Sequence, residues 1–93
     1  MKNRVQLIED KLRLALAPTY LEVVDESLAH LGHAQAGGAG HFSVIVVSSA
    51  FAGKTLIQRH QLVYQSLSDL MPSQIHALRI KAYTPDEFST AKG

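Results

Sequence analysis

Apolar residues come in two alternating rhythms along this chain. Val5, Ile8, Leu12, Ala15 and Leu16 recur at helical spacing, with Lys11 and Arg13 on other faces. Asn3 and Gln6 are spaced as a capping box at its start. Pro18 ends the helix, because the residue before a proline avoids the α region. Residues 20–26 read as a short strand, with Leu21 and Val23 on one face and Glu22 and Val24 on the other. Residues 30–40, HLGHAQAGGAG, carry four of the six glycines; glycine and alanine bury little, so a mobile loop is expected there. Residues 41–48, HFSVIVVS, form the strongest strand pattern, β-branched and bounded by turn residues. Two strands joined by such a loop predict an antiparallel hairpin.

Phe51-Ala52-Gly53-Lys54 then makes a turn into a second helix, with Thr55 and Gln58 at capping-box spacing. Its expected buried stripe is Leu56, His60, Val63, Leu67 and Leu70, flanked by Ile57, Tyr64 and Met71, and Pro72 is expected to stop it. Residues 75–82 predict a third strand, apolar on the Leu78, Ile80 and Ala82 face and basic at Arg79 and Lys81. Thr84-Pro85-Asp86-Glu87 combines a cap, a proline at the first position and an acid at the third; the short helix it starts should end near Lys92. The order α-β-β-α-β-α predicts an α+β fold, a three-stranded sheet with helices packed on one face. The third strand follows a helix and can join by a parallel crossover.

Composition narrows the classes. The 93 residues predict one domain with a small core. A net charge of +1 leaves no strong electrostatic footprint for a dedicated nucleic-acid binder. There is no cysteine, which excludes disulfides and any mechanism needing the chain's own thiol. The first 18 residues mix charge into apolar positions, unlike a secretory leader, and no run is long enough to span a bilayer. A cytoplasmic protein with no membrane role is the expectation. Ser27, Ser48 and Ser49 lie near histidines in sequence without a nucleophile-elbow motif, and the Asp25-Glu26 and Asp86-Glu87 pairs end a strand and cap a helix. A non-enzyme is expected.

The chemistry the chain can offer is imidazole. Its five histidines are His30, His33, His41, His60 and His76, and histidine is the commonest neutral metal ligand. His76, at the N-terminal end of the third strand and in the Leu78–Ile80 parity, has a ligand's placing: a strand fixes the ring while the strand end leaves it reachable. Read from spacing alone, it is equally a half-buried strand-end residue. His30 and His33 fall in the glycine-rich loop. His60 lies on the helix stripe and is expected to pack with a satisfied ring nitrogen. His41 precedes a strand and is expected to be structural. Gly53 and Lys54 open onto a helix N-terminus, a geometry that attracts phosphate; with Arg59, Arg79 and Lys81 they form the basis of a nucleic-acid reading. A turn followed by a capped helix accounts for the same residues.

The segments VDES at 24–27, HFSVIVVS at 41–48, FAGK at 51–54, QRHQLVYQSL at 58–67 and IHALRIKAYTP at 75–85 together resemble the BolA proteins over nearly the whole chain. HLGHA resembles the branch of that family with histidine in this loop, where another branch has cysteine. The resemblance implies a class II KH-like fold. It implies a non-catalytic partner of a monothiol glutaredoxin that shares a 2Fe–2S cluster with it, one thiolate coming from the glutaredoxin and another from bound glutathione. The task implied is cluster trafficking or iron and stress regulation. His76 matches the family's cluster ligand near the start of the last strand. The second ligand, proposed from the loop, falls at His30 by position after DES, with His33 the alternative. Isolated, the chain is expected to hold no cofactor, because histidines without thiolate make a poor cluster site. His60 and Phe51 are assigned to structure or interface. Some BolA proteins are described as DNA-binding regulators, which makes Gly53, Lys54 and Arg59 the alternative site; KH domains, however, grip RNA with a G-x-x-G loop, and this turn has a single glycine. A homodimer of the free chain stays open.

Overall fold

The computed structural model describes residues 3–26, 40–71 and 75–92. Helix α1, Arg4–Leu16, starts at the predicted capping box: Asn3 Oδ1 accepts from Gln6 N at 2.9 Å while Gln6 Oε1 accepts from Asn3 N at 3.2 Å. It ends as Ala17 turns into the left-handed region at φ 45°, immediately before Pro18. Ile8, Leu12 and Leu16, one above another at four-residue spacing, are its buried stripe, and Ala15 faces solvent. Strand β1, Tyr20–Asp25, pairs antiparallel with β2, Gly40–Val47, completing the predicted hairpin. Helix α2, Leu56–Ser66, leads by crossover to β3, Ile75–Tyr83, which runs parallel to β2. Helix α3, Pro85–Lys92, closes the described chain. The sheet order is β1-β2-β3.

Burial alternates along β2, with Phe42, Val44 and Val46 turned toward the helices. These join Ile8, Leu12 and Leu16 of α1, Val63 of α2 and Leu67 at its C-cap, and Ile75 and Ala82 of β3 in one hydrophobic core. Leu21 and Val23 of β1, with Leu78 and Ile80 of β3, complete the same layer. Burying such side chains supplies most of the favourable free energy of folding, about 1.5–3 kcal/mol each. Ser48 is fully buried where β2 ends; its Oγ donates to Leu16 O at 2.6 Å and accepts from Ala50 N at 3.0 Å, joining the end of α1 to the turn before α2. Among the described residues no helix is long and apolar enough to cross a membrane.

Two sequence expectations need correcting. The α2 stripe is shorter than its periodicity predicts: Val63, Leu67 and Leu70 are buried, but Leu56 is 63% exposed and Ile57 70% exposed. Helical spacing defines a face; it does not say where along the axis the sheet stops covering it. The helix also tightens after Ser66 into a 3₁₀ turn, Ser68–Leu70, so it does not run unbroken to Pro72, which lies outside the described residues. The second correction concerns β3. Gly40 pairs with Ile75 but His41 pairs with Ala77, so one extra residue, His76, interrupts the ladder as a bulge. The bulge puts Ile75 into the core and leaves His76 exposed, although the parity of Leu78 and Ile80 alone would turn His76 inward.

Candidate functional site

The parallel pairing of β2 and β3 sets both strand starts at one end of the sheet. There the rings of His41 and His76 lie 5.3 Å apart, centroid to centroid, tilted by 54°. His76 is exposed, whereas Nε2 of His41 is buried. The outer ring is therefore the accessible one, and the inner ring backs it. Beside them a shallow cleft of about 190 Å³ is lined by Glu26, His41, Phe42, Ala77, Leu78 and Arg79. Glu26 is held at its rim by its backbone N–H, which donates to His41 O at 2.8 Å. Among the described residues no three His, Asp or Glu side chains converge to hold a metal ion. The pair can lend a nitrogen ligand to a metal centre whose other ligands come from outside.

Sequence reasoning treated His41 as structural and missed its pairing with His76. The available signal was the crossover: two parallel strands that each carry a histidine at their second residue bring the two rings to the same end. His30 and His33 lie outside the described residues.

The residues proposed for phosphate differ in role. Gly53 takes φ +73°, and a Cβ there would meet nothing within 4 Å, so glycine serves the left-handed backbone of the turn. Lys54 is exposed. Arg59 is spoken for: Nε donates to Lys54 O at 3.0 Å, Nη1 to Ala82 O at 3.2 Å, and both Nη atoms grip the Glu87 carboxylate, at 2.6 and 3.1 Å. The guanidinium ties α2 to β3 and α3, and as placed it does not face outward to phosphate. Its hydrogen bonds, together with those from Thr84, hold the Glu87 carboxyl down at about 2. Phe51 is fully buried and acts in packing. His60 is half-buried as expected, but its Nε2 is a buried atom without a hydrogen-bond partner among the described residues, contrary to the expected satisfied nitrogen.

The comparisons with known proteins agree with this fold. A family model described as BolA-like protein matches residues 12–87. The DNA-binding transcriptional regulator BolA of Escherichia coli is 42% identical over 81 residues, covering 87% of this chain and 75% of the relative. The BolA domain of SufE1 from Arabidopsis thaliana superposes with a TM-score of 0.82 at 45% identity, covering 94% of this chain and 98% of that one. The solution structure of BolA1 from Mus musculus gives 0.80 at 40% identity, covering 100% and 74%. With a family match across most of its length and a close superposition on these solved domains, this chain belongs to the BolA-like family.

Proposed function

We propose that this protein is a non-catalytic partner of a monothiol glutaredoxin, taking part in the handling of a glutathione-ligated 2Fe–2S cluster that is its cargo. The observation that carries the reading is the exposed His76 ring backed by His41 at 5.3 Å, at the open end of a rigid parallel strand pair. The donor set fits the role. Two imidazoles and no thiolate cannot supply the sulfur-rich ligation of a free-standing cluster, but one imidazole can complete a cluster whose thiolates arrive with a partner. In that complex His76 is the ligand, His41 positions its ring, and His30 or His33 supplies the second contact. Replacing a thiolate by imidazole raises the reduction potential and makes a ligand suited to exchange. Transfer or sensing uses such a ligand; storage does not. The relatives named above are regulators or BolA-like proteins, in keeping with a role without catalysis.

The test is a titration of cluster-loaded monothiol glutaredoxin with this protein, followed by visible absorption and circular dichroism. Wild type should give a one-to-one spectral change that His76→Ala loses. A wild-type protein that leaves the spectrum untouched overturns the reading.

The second reading, a DNA-binding regulator, is favoured by the Escherichia coli relative's name and by the exposed Lys54 beside Gly53. With Arg59 committed to Glu87, the turn offers phosphate less charge than its sequence suggests. Phosphate-driven binding weakens steeply with salt. Tight, promoter-specific binding at physiological salt that is lost on Lys54→Ala would place this reading first.

A further inference from the structure

The sheet has a second face, turned away from α1 and α2, and strand register lays it out in rows. Tyr20, Val47 and Tyr83 share one row; Glu22, Ile45 and Lys81 share the next; Val24, Ser43 and Arg79 share the third; His41 and Ala77 follow at the cleft that Glu26 also lines. Phe88 of α3 stacks on Tyr20 at 5.0 Å and tilts against Tyr83 at 5.7 Å, which covers the first row. Val47 between those tyrosines is 1% exposed in consequence. Among the described residues the other rows have no such cover. Val24 is 42% exposed, and Ile45 is half-buried between two charged neighbours.

Charge on the open rows is sorted by strand. The acids, Glu22 and Glu26, belong to the β1 side; the bases, Arg79 and Lys81, belong to β3; β2 between them carries none. Neutral β2 holds the two edges about 10 Å apart, twice the strand spacing. Among the described residues Arg79 and Lys81 make no ion pair, and Glu22 accepts only the Tyr20 hydroxyl, at 2.8 Å. Such a face has a direction. A partner placing carboxylates over β3 and basic groups over β1 fits in one orientation and is repelled when reversed. The face runs straight into the cleft beside His41 and His76, so a protein that brings a metal centre to His76 approaches across it.

We infer that the open sheet face, polarised between Glu22/Glu26 and Arg79/Lys81, is the docking surface for the cluster-carrying partner. This rests on the function proposed above. It adds a partner chemistry: an acidic patch facing β3 and a basic patch facing β1, around a small apolar contact at Val24 and Ile45.

The test compares wild type, the charge swap Glu22→Lys with Lys81→Glu, the double variant Arg79→Glu with Lys81→Glu, and His76→Ala. The swap leaves net charge unchanged and touches only exposed side chains, and thermal unfolding checks that each variant is folded. Binding to purified cluster-loaded monothiol glutaredoxin is measured by calorimetry at low and high salt, and the spectral change is read at saturation. Both charge variants should bind about ten-fold or more weakly at low salt, with the difference shrinking as salt screens the face. At saturation they should recover the wild-type spectrum. His76→Ala should do the reverse, binding while leaving the spectrum unchanged. Wild-type affinity in both charge variants, beside a wild-type spectral response, overturns the docking face and leaves the His76 reading standing. A wild-type protein that neither binds nor alters the spectrum overturns both. A free chain that sediments as a dimer, and as a monomer in the Arg79→Glu with Lys81→Glu variant, assigns the face to a second copy and overturns the inference.

Discussion

Ser48 and His60 show how much a single polar atom inside this small core can decide. The Ser48 hydroxyl serves two backbone groups at once, the Leu16 carbonyl and the Ala50 N–H. Ser48→Ala removes both bonds and leaves those groups unpaired beside a fully buried side chain. The expected cost is about 1–3 kcal/mol, read as a lower urea midpoint with an unchanged slope. His60 is the opposite case. Its Nε2 is already buried without a partner among the described residues, so an apolar side chain of similar size loses nothing there. His60→Leu is expected to leave the urea midpoint unchanged or raise it. A large fall would show that His60 satisfies a contact beyond those described.

At the scale of elements, the caps are local and the ties between elements are not. The three N-terminal caps, at Asn3, Thr55 and Thr84, follow from residues three apart. The Arg59–Glu87 pair spans 28 residues and joins α2 to α3, so nothing in local spacing announces it. It has a pH signature. The Glu87 carboxyl is held at about 2 in the folded chain against an ordinary 4.5, because Arg59 and Thr84 stabilise its charged form. A depressed folded value means the stabilisation is fully present above about 4.5 and is lost as pH falls toward about 2. Glu87→Gln should therefore lower stability at neutral pH and flatten the acid limb between those values, measured as unfolding midpoint against pH. An acid limb identical to wild type would mean that the pair is too solvated to contribute.

Across the whole molecule the two sheet faces have divided labour. One is sealed by α1 and α2 over the core; the other is covered by Phe88 at one end and left open toward His76 and its cleft. Both readings of function use ends of elements: the strand starts for a cluster ligand, and the turn before α2 for DNA. Arg59 weakens the second by turning its charge inward, and the ring pair strengthens the first. The binding and spectral measurements proposed above separate them, since the two tests depend on residues that share no contact.

Much of this architecture was legible from residue order. Hydrophobic period, capping spacing, Pro18 after α1 and Pro85 at the start of α3 depend on neighbours within a few positions, and those forces act the same way before and after folding. They define the helices, the strands, the antiparallel hairpin and the resemblance that named the family. The strand-end place of His76 was legible, but its facing was not, because one unpaired residue in a ladder between strands more than thirty positions apart reverses it. Nor was the His41–His76 contact, the capture of Arg59 by Glu87, or the sorting of acids and bases across the open face. Each depends on which strands are neighbours and in what register, and only long-range packing of the core settles that.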